Sequence, residues 1–268
     1  MNPFDAAGAD FLRLAPLLWD PTSAALVEVA APEPGDRVLD ACCGVGSSAL
    51  PAAVAIGPDG RLDAVDTSVA LVDILRHRPE RPPWLHPHLH DVTTWRRPSG
   101  GYDVVQCALG IFFFPVMADG VAHLISLARP GGRVVLSVWR RGSLVEVGEA
   151  LLTAYRRTTG TDVDRPHSPI AAIDEVDALR AWSVDRGLSD VIVTEHSLHL
   201  DVDAEQAWLI VVGSGWRGLV ESLPAAGRQR LRAAFADELG RRGVQTVQAS
   251  TMVVSGTVPP RRAGPSLG

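Results

Sequence analysis

The chain contains no lysine; all 25 of its basic residues are arginine. That absence excludes Schiff-base chemistry on a lysine amine. With Tyr102 and Tyr155 as its two tyrosines, the chain also lacks the Tyr–Lys pair that short-chain oxidoreductases use to handle hydride. Positive charge is short altogether. Against 31 acidic residues the arginines leave a net charge of −6, the wrong sign for displacing counterions along a nucleic acid. Cysteine is scarce too, at Cys42, Cys43 and Cys107. Sequence neighbours cannot close an ordinary disulfide, and no C-x-x-C pair offers a zinc knuckle. No apolar run approaches the roughly 20 residues of a membrane span, and the opening MNPFDAAGADFLRL lacks the basic stretch of a secretory signal. The expectation is a soluble cytoplasmic protein with a small-molecule partner, no nucleic acid and no membrane.

What is present is an alternation of short apolar runs and helical segments, the pattern of a βαβ protein. Strands are predicted at DRVLDA (36–41), RLDAVD (61–66), a weaker WLHPHLHDV (84–92), YDVVQCALG (102–110) and GGRVVLSVW (131–139). Helices are predicted between them at 47–57, at 68–78 capped by Thr67 or Ser68, and at 117–128. Beyond Trp139 the alternation loosens into helices at 144–157 and 174–186, a strand near 190–200, a broken apolar segment at 203–222, an arginine-rich helix at 225–241 and a last strand at 250–258.

The loop after the first strand reads Gly44-Val-Gly46-Ser-Ser-Ala49 and formally satisfies the dinucleotide fingerprint, with Asp66 ending the next strand about twenty residues on. Asp40, four residues before Gly44, argues the other way. A carboxylate there would repel a pyrophosphate but suits a ligand carrying an ammonium and a sulfonium. Opposite charges near 4 Å are worth about 4 kcal/mol at an effective dielectric of about 20, before desolvation. S-adenosylmethionine is such a ligand.

On these residues the chain resembles the class I S-adenosylmethionine-dependent methyltransferases, in a small-molecule branch similar to the ubiquinone/menaquinone enzymes. PGD followed by VLDACCGVGSSAL resembles their first motif, with Cys43 at a common small-residue position and Cys42 where glycine is frequent. LDAVDTS resembles the second, HDVTTW the third, and YDVVQCALGIFFFP with LARPGGRVVLSVW the fourth and fifth strands. The resemblance implies a Rossmann-like, doubly wound α/β sheet, mostly parallel with an antiparallel last strand, in one domain over 1–258. Residues 1–34 would be an N-terminal helical cover, 35–140 the cofactor-binding core, 141–173 and 201–245 an inserted helical lid, and 259–268 a disordered tail. It implies S-adenosylmethionine as cofactor and S-adenosylhomocysteine as product. Asp40, Cys42, Gly44 and Gly46 would surround the methionine end, Asp66 the ribose, and Asp91 and Val92 the adenine; Thr67, Ala108 and Phe11 complete the set.

Methyl transfer needs alignment of acceptor, methyl and sulfur and exclusion of water, and a base only for a poorly acidic acceptor. His167 is the expected base, ahead of His196, His199, Tyr155 and Asp201. Phe113, Phe114, Trp139 and Trp216 are expected to line an apolar or aromatic acceptor's pocket, with Phe112, Trp182 and Trp208 nearby. His86, His88 and His90 alternate along one strand, but the resembling fold puts an edge strand there, where Pro87 and exposed polar residues are ordinary, so no metal is expected. Carbon, nitrogen and oxygen acceptors stay open, with the lack of a clear base or metal set favouring a nucleophilic carbon or nitrogen over an unactivated alcohol; a homodimer through the apolar N-terminal helices or AWLIVV is open too. An NAD(P)-dependent oxidoreductase and a non-catalytic S-adenosylmethionine-binding protein are the alternatives. Arginine in place of lysine, with abundant alanine and glycine, reads as GC-rich bacterial coding and makes secondary metabolism plausible.

Overall fold

The computed structural model describes residues 4–163 and 169–260. In chain order the elements are α1 (Gly8–Leu14), a π-helical turn (Ala15–Trp19), α2 (Asp20–Ala30), β1 (Arg37–Ala41), α3 (Ala49–Ile56), β2 (Arg61–Asp66), α4 (Val69–Arg76) and β3 (Leu85–Leu89). There follow β4 (Tyr102–Cys107), α5 (Met117–Leu127), β5 (Ala128–Trp139), α6 (Val145–Thr159), α7 (Val176–Val184), β6 (Ser189–His196) and β7 (His199–Asp201). The remainder is α8 (Ala204–Val212), α9 (Arg217–Glu221), α10 (Ala225–Arg242), β8 (Thr246–Gln248) and β9 (Thr251–Thr257).

A seven-stranded sheet runs in the order β3-β2-β1-β4-β5-β9-β6. β3 through β5 pair in parallel, and β9 lies antiparallel between β5 and β6, as expected for the last strand. The chain moves outward from β1 to β2 and β3, then crosses back to β4. That reversal sits between β1 and β4, and in open α/β sheets ligands bind outside the carboxyl ends of the strands at such a point. The glycine loop follows β1 and the GIFFFP segment follows β4, so both stand at this place.

Continuous apolar runs mark strands covered on both faces. Leu39, Val105, Leu136 and Met252 pack with α5 and α7 on one face. Val38, Ala64, Val104 and Val253 pack with α2 and α3 on the other. A further cluster joins Leu14 and Leu18 to α6, α8, α10 and Val247. Capping signals set the ends of these helices. Ser68 accepts from the Leu71 amide at the start of α4, and Asp203 and Gln206 form a capping box on α8.

One expectation is corrected. The strand near 190–200 is two: β6 joins the main sheet, whereas β7 pairs with β8 in a separate ribbon. Ser197 and Leu198 turn the chain between them, and β8 is three residues long with one buried side chain, too short for an alternation to show. The broken 203–222 segment divides at Gly213, the C-cap of α8, where a Cβ would meet Leu14 and the Asp10 carbonyl.

Candidate cofactor and acceptor site

The loop after β1 is shaped by backbone that most side chains resist. Gly44 and Gly46 take φ of 53° and 97°. A Cβ on Gly44 would stand 3.2 Å from the Phe11 ring, and one on Gly46 would stand 2.5 Å from Leu75. Cys42 is also left-handed, at φ 58°, which explains why glycine is frequent at this position in the resembling family. Its bulk is accommodated by Gly110, where a Cβ would fall 2.6 Å from the Cys42 Cβ and 2.8 Å from the sulfurs of both Cys42 and Cys107. The hydrogen bond between the thiols of Cys42 and Cys107, with burial, holds the Cys42 thiol well above its usual range; burial does the same for Cys43. Both are inert packing groups at neutral pH.

Two aspartates hold this loop. Asp66, at the end of β2, accepts the Gly44 amide at 2.9 Å on one oxygen and the Ser68 amide at 2.8 Å on the other. Burial raises its pKa against these bonds. Asp40 is fully buried beneath the loop. Both of its oxygens accept from Ser48 Oγ, at 3.0 and 2.9 Å, and one accepts from Gln106 Nε2 at 3.2 Å. Burial pushes its pKa up to about 7, opposed by those two hydrogen bonds and reinforced by the charge of Asp66. Ser47, one residue before Ser48, has a buried hydroxyl with no protein partner.

Other predicted cofactor residues stand around the same strand ends. Asp91 follows β3, is exposed and accepts from the amide and hydroxyl of Thr93. Val92 is buried behind it. Thr67 follows Asp66, and Ala108 follows β4 half-buried. Asp5, in the segment before α1, accepts from Ser68 Oγ at 2.7 Å and ties that segment to the same corner.

Above the loop runs a chain of aromatic rings. Phe113, 54% exposed at the mouth of β4, meets Phe112 at 4.7 Å and Phe4 at 5.2 Å between centroids. Phe4 meets Phe11 at 6.1 Å, and Phe11 stacks on Trp19 at 5.0 Å and 17°. Trp19 lies 6.3 Å from Trp139 at the end of β5. Phe114 turns inward onto Gly120 of α5, and Trp216 lies against Gly148 of α6, so neither ring belongs to this chain of contacts. The sequence reading missed Trp19, Ser48 and Gln106. Trp19 lay among apolar helix residues, and the other two reveal their part only once β1, β4 and α3 are folded together.

His167 lies outside the described residues. Of the other candidate bases, His196 ends β6 directly across from Thr251. His199 and Asp201 are on β7, the latter accepting from Thr246 at 3.2 Å, and Tyr155 bonds Ser222 at 3.1 Å. Of the three alternating histidines, His88 Nε2 meets Asp63 at 2.9 Å and His90 lies beyond the end of β3. Among the described residues no helix is long and apolar enough to cross a membrane.

The glycine loop, the strand-end carboxylate held by two amides and the buried unpartnered Ser47 hydroxyl stand together at the sheet reversal. The family model for the methyltransferase domain matches residues 19–188, and the chain belongs to this family of S-adenosylmethionine-dependent methyltransferases. It is similar to nocamycin O-methyltransferase of Saccharothrix syringae, 28% identical over 257 residues that span 89% of this chain and 86% of the relative. It is also similar to 2-phytyl-1,4-naphtoquinone methyltransferase of Synechococcus elongatus, 30% identical over 118 residues, 41% of this chain and 48% of the relative. Among solved structures, a SAM-dependent methyltransferase from Thermotoga maritima shares the fold with a TM-score of 0.56 and 12% identity, covering 96% of this chain and 98% of that one.

Proposed function

We propose that this protein transfers a methyl group from S-adenosylmethionine to an acidic oxygen of a small, planar, largely apolar metabolite. When bound, the cofactor supplies a methyl carbon already activated by its sulfonium. The protein's residues bind, orient and exclude water. Asp66, pre-oriented by the Gly44 and Ser68 amides, would accept the ribose hydroxyls. Asp91 and the Val92 amide would meet the adenine, with Thr67 and Ala108 beside it. The Cys42–Gly46 loop would wrap the methionine end, with Ser47 Oγ as a donor. Asp40 acts from below: too deep to touch the ligand, it fixes α3 through Ser48 and turns a negative charge toward the ligand's cationic groups.

The observation that carries the reading is the Asp66 clasp on Gly44. One carboxylate joins the end of β2 to the loop after β1, which keeps the loop open around a ligand without a phosphate. An NAD(P)-dependent reading has no support in that arrangement, because a buried carboxylate lies under the glycines. The oxygen acceptor is supported by the similarity to nocamycin O-methyltransferase and by chemistry. A carboxylic acid, or the enol of a 1,3-dicarbonyl, is already ionised near neutral pH and needs no strong base, and of the candidate bases among the described residues none bonds a ring of the aromatic mouth. Residues 1–34 and the segments 141–173 and 201–245 would serve as cover and lid, with Phe113 and Trp139 lining the acceptor. Bacterial secondary metabolism is the setting we favour.

The test is to incubate the protein with methyl-labelled S-adenosylmethionine and a panel of aromatic acids, enols, amines and hydroxyls, scoring product by a mass gain of one methyl. Methylation of acids or enols supports the reading. Methylation confined to amines, or turnover of NADH instead, refutes it.

A further inference from the structure

Two polar groups at the acceptor side of the site are buried and unpartnered. One is the indole N–H of Trp19; the other is the hydroxyl of Thr251, a residue with no exposed surface. Buried indoles and hydroxyls ordinarily find a partner, because leaving one unpaired forfeits its hydration. These two are not scattered. Thr251 opens β9 and pairs directly across from Trp139, the last residue of β5. By strand alternation both side chains leave the sheet on the face that carries α2, since Met252 and Val138 point into the opposite core. Trp19, immediately before α2, comes within 6.3 Å of the Trp139 ring. Trp139 thus has one unpaired donor on its cross-strand partner and a second on the neighbouring indole.

The position of Trp19 is set with some care. It ends the π-helical turn Ala15–Trp19, and such turns re-aim a side chain within a helical segment and recur at functional sites. Stacking on Phe11 fixes the plane of the indole, and Phe11 lies against Gly44 of the cofactor loop. The N–H is thus one ring removed from the loop, over the carboxyl end of β5.

We infer that Trp19 Nε1 and Thr251 Oγ1 are specificity-determining donors for an oxygen of the acceptor, holding a planar, conjugated carboxylate or enolate against the face of Trp139. The indole can only donate and the hydroxyl can donate, so the ligand must offer an acceptor atom at that edge. An aromatic amine, whose lone pair is delocalised into the ring, is a poor acceptor, and a bare ring offers none. This inference rests on the proposed reading of the site as an acceptor pocket and narrows its substrate class.

The probe is 2-naphthoate, with 2-naphthylamine as the control that keeps the rings and removes the carboxylate. Both are titrated into protein saturated with S-adenosylhomocysteine. In 15N spectra the Trp19 indole resonance, assigned by its loss in Trp19→Phe, should move on adding naphthoate and stay still with the amine. Trp19→Phe, which keeps a ring against Phe11 but gives up the N–H and part of the indole's volume, and Thr251→Val, which keeps the shape, should each bind naphthoate about tenfold more weakly. Both should keep wild-type affinity for S-adenosylhomocysteine, and Thr251→Val should melt no lower than wild type without ligand, because it loses an unpaired buried group and leaves no cavity. A merely structural role would lower the melting temperature. Equal naphthoate binding in wild type and both variants, no naphthoate binding, a still indole resonance, or equal losses for naphthoate and naphthylamine overturns the inference. Failure of the wild type to bind S-adenosylhomocysteine is a separate result that refutes the cofactor reading and this inference with it.

Discussion

Asp40 on β1 and Asp63 on β2 occupy neighbouring strands, both nearly inaccessible at 0% and 4% exposure, and they titrate in opposite directions. Asp40 faces α3 and bonds only neutral donors, Ser48 and Gln106. Burial lifts it to about 7. Asp63 faces the other core and bonds His88 at 2.9 Å, Arg61 at 2.8 Å and Tyr102 at 3.0 Å. Burial pushes it up as well, but these bonds and the Arg61 charge outweigh it and hold it at about 2. Burial alone does not decide the charge of a strand aspartate; its partners do. Asp63 has its cation within the protein and is structural. Asp40 has none among the described residues, and on our reading the cation comes with the cofactor.

The largest expected effect is on the pH dependence of stability. The folded pKa of Asp40 lies above its unfolded value, so its contribution is fully present below about pH 4 and is lost as pH rises through about 7, on the order of 4 kcal/mol over that window. Urea melts of wild type and Asp40→Asn should diverge across it, with the variant gaining relative stability as pH rises. A constant difference would break the comparison. Asp63→Asn should cost about 2 kcal/mol at pH 7, because one neutral amide oxygen replaces two charged ones facing Arg61, His88 and Tyr102. The lowered pKa gives the opposite sign: Asp63 stabilises above about pH 4 and loses that contribution as pH falls through about 2.

Smaller effects test the loop itself. Asp66→Asn keeps the shape but offers the Gly44 and Ser68 amides a poorer acceptor. It should weaken S-adenosylhomocysteine binding by roughly 2 kcal/mol, about thirtyfold, measured calorimetrically, with a smaller change in melting temperature. Cys42→Gly relieves a left-handed non-glycine residue and should raise stability by about 1 kcal/mol in denaturant melts. A loss there would mean that the Cys42–Cys107–Gly110 packing matters more than the backbone strain.

The comparison also separates what could be read from residues alone. Asp40, Asp66 and the glycines stand at fixed spacings after buried strands, and the run from Arg37 to Trp139 folds close to its pattern. The bounds of β1, β2 and α5 shift by no more than two residues. Asp63 gave no such signal, because its partners come from β3 and β4 and its charge state follows from tertiary contacts. Beyond Trp139 the same holds more widely. β7 and β8 are too short for periodicity, and the partners of Tyr155 and Asp201, which are Ser222 and Thr246, lie far along the chain. Trp19 and Thr251 were invisible for the same reason: an unpaired donor is a property of packing and leaves no trace in spacing.

The most direct test of the account is calorimetric titration with S-adenosylhomocysteine of wild type, Asp40→Asn and Asp66→Asn at pH 8, where Asp40 is largely ionised. The account predicts micromolar binding by the wild type, weaker binding by Asp40→Asn through loss of the buried charge, and the weakest by Asp66→Asn. Absence of binding by the wild type, or one affinity shared by all three, would contradict it.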